Sequence, residues 1–329
     1  MKFVMLAAGL LGAFALRAEY RIGIIGCDTS HSVAFAKIAN VDKDPRVAGF
    51  RVTCAYKWGS TAIASSTSRY EKYIPQMQEM GVVMKGSIAD LLNDCDGVLL
   101  ETCDGVPHYR QALEVFKSGK PCFIDKPVAA DLADVVRIVE AGKQYGAKWF
   151  CTSALRFLPG VAETRAGKHG KIRCVETWTP LDVEPTQSRY YWYAIHGAEP
   201  LFAALGTGCE SVRAFSSGCD DILTGTWADG RLGVMHATPW KKGAGYGGMA
   251  FPEDDYHPEP VLFGKYLGYP PLLASIVEFF RTGKSPVTPE ETLEIYAFLS
   301  AAEQSHAQGG AEVRIADVLV AARQAARNR

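Results

Sequence analysis

The chain has 329 residues, a net charge of −1 and 48% hydrophobic residues. That is enough for two ordinary domains with a substantial core. Without a basic excess or a Lys/Arg run it carries no electrostatic footprint for nucleic acid, and no repeat or low-complexity tract is present.

The first residues read MKFVMLAAGLLGAFALRAEY, with one lysine and then a 14-residue apolar run from Phe3 to Leu16. The run is too short to span a bilayer but has the length of a signal-peptide core. We therefore expect a leader over 1–18, with cleavage after Ala15 or Ala18, and export to a periplasmic or extracellular space. An uncleaved cytoplasmic chain is the alternative. No cysteine follows closely enough for a lipid anchor, so the mature protein is expected off the membrane. The nine cysteines form no CxxC pair. They read as buried free thiols, in tension with an oxidising compartment.

From residue 20 to about 153, strand and helix patterns alternate. Strands are expected at 20–25, 49–56, 82–84, in DGVLLET, in PCFID and in KWFCTS. Helices are expected at 32–39, 68–80, 88–93, over HYRQALEVFKSGK and over DLADVVRIVEAGKQYG, with Asp131 as an N-cap and Gly119 and Gly146 as stops. Apolar strands in repeated βα units predict a doubly wound parallel sheet. The second half changes character. KIRCVETW alternates, and ILTGTWA and RLGVMHAT flank Asp229-Gly230, a hairpin signal. Two helices follow, over PLLASIVEFFRTG and from Thr288-Pro289-Glu290-Glu291, where Thr288 and Glu291 should form a capping box. The fold class is an α/β Rossmann-like domain at 19–153, then an α+β domain with a mostly antiparallel sheet at 154–329. The C-terminal helices are candidates to pack back on the first domain. The cleft between domains is the default site.

The loop after the first strand reads GIIGCDTSHSVAF. Placing G-x-G-x-x-G on Gly26 puts Asp28 at the second glycine and His31 at the third. Asp28 would bring a charge beside a pyrophosphate. Two unit charges ~5 Å apart repel by roughly 3 kcal/mol at an effective dielectric near 20. Alternatively, Asp28 caps the helix, while Thr29, Ser30 and His31 donate to phosphate. The second strand ends on Tyr56-Lys57-Trp58-Gly59-Ser60 without an acid for the adenosine 2′-hydroxyl. Lys57 and Ser60 would tolerate a 2′-phosphate.

These patterns together resemble the Gfo/Idh/MocA oxidoreductases, the glucose-fructose oxidoreductase and inositol dehydrogenase group. The resemblance rests on DGVLLETCDGVPHYRQALEVFKSGKPCFIDKP with its Asp125-Lys126-Pro127, on ALRFLP, on HGAEPLFAALG with His196 and Gly206, on ADGRLGV and on SHAQGGAEVRI. It covers the whole mature chain. It implies a Rossmann domain, NAD or NADP, a small sugar or polyol substrate, and a homo-oligomer paired through the second sheet. It also implies Lys126 as the catalytic or substrate-orienting lysine and His196 as acid/base. Cofactor contacts are then expected from Gly26, Asp28, Thr29, Ser30, His31, Lys57, Thr102, His108 and Asp125. Substrate contacts are expected from Arg156, Tyr191 and Glu199.

An imidazole titrates near neutrality and suits removal of a hydroxyl proton, and an ammonium can stabilise the developing charge. Lys126 follows an apolar strand, so it should stand at the carboxyl edge, where such sheets place their sites. The family's acid four residues before the histidine is Trp192 here, and Glu199 stands near the second acid. His196 and Glu199 lie at i, i+3 without further ligands in register, so no metal site is expected. Tyr190, Tyr191, Trp192 and Tyr193 form either core or a platform for a sugar face. The loop at 240–260 reads as a lid or a packed surface arm. Two further readings remain open: an NAD-using glycosidase of the same group, and a non-catalytic carbohydrate-binding or regulatory protein.

Overall fold

The computed structural model describes residues 19–243, 245–253 and 259–329. The expected leader at 1–18 lies outside the described residues, as does part of the expected lid at 254–258.

The first domain runs β1 (Tyr20–Ile25), α1 (Ser30–Ala36), β2 (Phe50–Tyr56), α2 (Ala64–Glu79), β3 (Val83–Lys85), α3 (Ile88–Asp94), β4 (Gly97–Leu100), α4 (His108–Ser118), β5 (Cys122–Ile124), α5 (Leu132–Gln144) and β6 (Trp149–Cys151). All six strands are parallel, in the order β3-β2-β1-β4-β5-β6. Every residue of β4, GVLL, is buried, as expected of a strand covered by helices on both faces. Val98, Leu99 and Leu100 each contribute about 1.5–3 kcal/mol by that burial. The strand order reverses between β1 and β4, and the crevice opens there at the carboxyl ends.

Helix signals act as read. Asp131 accepts the Asp134 amide at the start of α5, and Gly119 closes α4 at φ 73°. At α1 the cap is Thr29, whose side chain accepts the Ser32 amide. The expected cap by Asp28 is therefore corrected. The helical run also starts earlier than expected and continues as a π-helical turn over Lys37–Val41.

The second domain comprises α6 (Pro159–Arg165), β7 (Ile172–Leu181), α7 (Ile195–Leu205), β8 (Cys209–Ser216), β9 (Asp221–Trp227), β10 (Leu232–Pro239), β11 (Gly247–Pro252), β12 (Val261–Leu262), α8 (Pro270–Thr282), α9 (Pro289–Ala307), β13 (Val313–Arg314) and α10 (Ile315–Arg327). Its seven-stranded sheet has the order β12-β11-β7-β10-β9-β8-β13. Only β7 and β10 pair in parallel among the described strands. The Asp229-Gly230 turn joins β9 to β10 as an antiparallel hairpin. The stretch expected as a long loop contains β11, which pairs with β7.

Three C-terminal helices return to the first domain. Leu272, Leu273, Ile276, Val277 and Phe280 of α8, spaced for one helical face, pack into one core with Ile22, Ile24, Val52 and Phe150. Phe279 meets Phe150 edge-on with ring centres 5.0 Å apart. Helices α9 and α10 both pack on α5. At the start of α9 the Thr288 side chain accepts the Glu291 amide. The Glu291 carboxylate, however, pairs with Arg156. The expected reciprocal capping box is therefore half formed: a buried guanidinium attracts that acid more strongly than a neutral amide.

Candidate functional site

A cavity of about 220 Å³ lies at the carboxyl edge of the parallel sheet, between the two domains. Three loops of the first domain supply Thr29, Ser30, His31, Cys103, Asp125 and Lys126. The second domain adds His196 from α7 and the aromatic side chains Trp192, Tyr193, Tyr246, Tyr266 and Tyr269. Larger hollows of about 440 Å³ beside Arg51 and about 550 Å³ beside Glu312 gather no buried carboxyl, imidazole or ammonium group among the described residues.

Lys126 leaves the end of β5 and is half-buried. Its Nζ lies 5.4 Å from the Trp192 ring centre and 5.1 Å from that of Tyr193, within reach of a cation–π attraction. It also donates to the Trp192 carbonyl at 3.5 Å. Burial lowers its pKa, against the opposing pull of Asp125.

His196 is buried, and Ser153 Oγ lies 2.6 Å from its Nδ1. Burial first, then Lys126 and His31, push its pKa well below the ordinary value. The ring is thus neutral at neutral pH, the form a general base requires. Its partner is a hydroxyl where an acid was sought. Ser153 Oγ already accepts the Leu155 amide and can either donate to Nδ1 or accept from it. Both neutral tautomers of His196 therefore have a partner.

Below the cavity, His31 Nδ1 stands 2.7 Å from Asp125 Oδ2 and 3.8 Å from Glu101 Oε2. The short contact is misaligned for a hydrogen bond, and all four oxygens of the two carboxyl groups lack a hydrogen-bond partner among the described residues. Burial, then the Asp125 carboxylate, push Glu101 well above the usual carboxylate range. Burial also raises Asp125, but His31 and then Lys126 outweigh it and hold its pKa low.

Asp28 stands in the opposite condition. It is fully buried and accepts from Ser60 N at 3.1 Å, Ser66 Oγ at 2.8 Å, Cys103 N at 3.1 Å and Cys103 Sγ at 3.2 Å. Ser60 Oγ also donates to Asp104 at 2.7 Å, and Asp104 accepts from Gln187 Nε2. These bonds tie the loops after β1, β2 and β4 together. The Asp28 oxygens are therefore committed to donors inside the protein rather than turned toward the start of α1. Ser60 is likewise committed to this network and is not free for a 2′-phosphate. Gly26, at φ 96°, lets the first loop press on the third: a Cβ there would lie 2.6 Å from the Thr102 amide nitrogen.

Of the residues named from sequence, Thr29, Ser30, His31, Asp125, Lys126 and His196 line the cavity. Others do not. Lys57 is exposed, and its side chain makes no contact with the cavity wall. Thr102 binds Gln111 at 3.0 Å. His108 places its two nitrogens 3.2 Å from the Val128 carbonyl and 2.7 Å from the Thr102 carbonyl. It staples two loops together, and burial lowers its pKa. Tyr191 is fully buried, with its hydroxyl 2.7 Å from Ser300 Oγ, so it packs in the core and does not line the cavity. Arg156 and Glu199 form a buried ion pair at 2.8 Å, extended by Thr152 and Glu291. They join the domains beside the cavity without lining it.

Sequence reading missed Glu101, Arg69, Tyr266, Tyr269 and the Ser153 partner. Only Glu101 carried a local signal, a carboxylate at the end of an otherwise apolar strand. The tyrosines come from the turn before α8, remote in sequence. The aromatic run splits: Tyr190 and Tyr191 are core, while Trp192 and Tyr193 face the cavity.

A doubly wound parallel sheet, a mixed sheet behind it and a lysine–histidine cavity at their seam define a two-domain protein with a Rossmann-like first domain. Residues 20–152 match the model of the GFO_IDH_MocA group, described as an oxidoreductase family with an NAD-binding Rossmann fold. The match covers the first domain, which carries the Rossmann signature of this Gfo/Idh/MocA oxidoreductase family. No curated protein matches the chain in sequence. In fold it is similar to a probable dehydrogenase from Thermotoga maritima, at 17% identity and TM-score 0.70, covering 91% of this chain and 99% of that one. An Agrobacterium radiobacter oxidoreductase, solved with NAD+, L-tartaric acid and magnesium, gives 15% identity and TM-score 0.69 over 92% and 100%. The Lactobacillus casei myo-inositol dehydrogenase, solved with NAD(H) and myo-inositol, gives 13% and 0.67 over 90% and 96%.

Proposed function

We propose that the protein oxidises or reduces a carbinol of a sugar or polyol derivative with NAD or NADP. The observation that carries this is the convergence of Lys126 and a neutral His196 on one cavity walled by tyrosines and tryptophan. Aromatic faces suit the apolar side of a sugar ring, and about 220 Å³ suits a molecule of that size rather than a whole dinucleotide. His196 would hold the hydroxyl proton while Lys126 steadies the oxygen. Inositol dehydrogenases among the similar folds support a polyol.

The residues present fit one end of the cofactor. Thr29, Ser30 and Lys126 reach the cavity and would hold its nicotinamide end. Bound there, the nicotinamide would supply the hydride acceptor or donor. The adenosine end fits less well, since the Asp28 network bridges the crevice along that path. Binding of the whole dinucleotide calls for those bonds to part. The apolar leader supports export of the mature chain.

The test is differential scanning fluorimetry of chelator-treated protein with NAD(H) and NADP(H), followed by turnover on an inositol and sugar panel. A rise in melting temperature with either cofactor, and turnover that Lys126→Ala reduces at least ~100-fold, are expected. No thermal shift with either would overturn the reading. N-terminal sequencing of secreted material tests export, and an intact Met1 in the soluble cell fraction would refute it.

A further inference from the structure

The cluster beneath the cavity combines His31, in the first turn of α1, with Glu101 and Asp125, which directly follow β4 and β5. One ligand atom from each lies within 4.8 Å of the others. Glu101 is completely buried and Asp125 nearly so. Neither offers an oxygen to any donor among the described residues. Two adjacent carboxyl groups without donors are an expensive arrangement in a protein interior. The same protein shows the ordinary solution at Asp28, which has four donors.

We propose that His31, Glu101 and Asp125 bind one divalent first-row transition-metal cation, with its remaining coordination positions turned to the cavity. One imidazole nitrogen and two carboxylate oxygens suit zinc or manganese. Tetrahedral ligands at ~2.0–2.2 Å from a metal stand roughly 3.3–3.6 Å apart. The observed separations of 2.7 Å and 3.8 Å from His31 Nδ1 bracket that spacing. Glu101 has no exposure, whereas His31 and Asp125 reach the cavity wall. The open side of the site therefore faces the cavity that holds His196. Vicinal oxygens of a polyol, or water, are ligands of the right chemistry for that side. Lys126 is the neighbouring cation, and its ammonium is held over Trp192 and Tyr193.

Sequence spacing could not show this site, because its ligands are separated by 70 and 24 positions. The inference stands apart from the dinucleotide reading, since its test uses no cofactor and no turnover. Chelator-stripped full-length protein is titrated with Mn²⁺ or Zn²⁺ and passed through gel filtration. Retained metal is measured by mass spectrometry and the melting temperature by scanning calorimetry. A Cys219→Ser background removes the exposed thiol that would compete for zinc. One equivalent retained per chain, a raised melting temperature, and an affinity at least ~100-fold weaker in Glu101→Gln and in His31→Gln are expected. His31→Gln, at the cavity wall, keeps the comparison available if the buried variant fails to fold. Failure of the parent protein to retain either metal overturns the proposal. So does undiminished retention in a folded variant. Stabilisation by Glu101→Gln without metal uptake by the parent would instead show a proton shared between Glu101 and Asp125.

Discussion

The carboxyl edge of the first sheet, after β1, β2, β4 and β5, holds two acidic regions that solve burial in opposite ways. Asp28 is saturated with donors and binds three loops together. Glu101 and Asp125 have no donor among the described residues and face each other and His31. A saturated buried carboxylate is structural, because every bond it makes is already used. An unsaturated one stores an unfavourable free energy that a proton or a cation can release. The contrast therefore separates scaffold from site without reference to any relative.

Three substitutions would break or sharpen that contrast. Replacing Asp28 by Ala strands two backbone donors at about 1–3 kcal/mol each, besides removing charged hydrogen bonds. We expect about 4 kcal/mol lost in urea unfolding, and a loss below 1 kcal/mol would remove Asp28 from the scaffold. His196→Gln should lower kcat by ~10²–10⁴ while leaving the melting temperature within a few degrees. An unchanged rate would release His196 from the acid/base role.

The pH dependence of the same variant carries a sign. A histidine depressed in the folded state contributes no penalty above its unfolded value of about 6.5. As pH falls through that value the unfolded chain takes up a proton that the folded chain refuses, so stability is lost. The stability of wild type relative to His196→Gln should thus fall between pH 8 and pH 5. A flat difference would show that His196 is more accessible to solvent than its burial indicates. The smallest effect is expected from Glu101→Gln in metal-free protein. Removing a buried acid without donors should be neutral or stabilising by ~1 kcal/mol at pH 8, whereas a loss above 2 kcal/mol would reveal a donor.

The sequence made the parallel sheet, the Asp229-Gly230 hairpin and the Lys126–His196 pairing legible, because each depends on local pattern or on motif order. The misreadings share one cause. Asp28, Tyr191, Glu199 and Arg156 were assigned by their position along the chain, but each side chain turns inward to partners 32 to 135 residues away. Side-chain direction at a strand end depends on which loops come together, and no local pattern encodes it. Ser153 escaped notice because a lone serine between strand and helix resembles any cap. The tyrosine rim came into view only when α8 was seen to dock on the first sheet.

That docking has a consequence for protein engineering. The first domain does not end where its last strand ends. One face of its sheet is completed by residues 270–282, more than a hundred positions beyond β6. A fragment stopped at 153 would present Ile22, Ile24, Val52 and Phe150 to solvent on that face and would be prone to self-associate. Chimeras that exchange the second domain should therefore treat α8 as part of the first. The preceding turn, with Tyr266 and Tyr269, is where the two inheritances meet, and changing those two side chains alone would alter the cavity wall without disturbing the sheet.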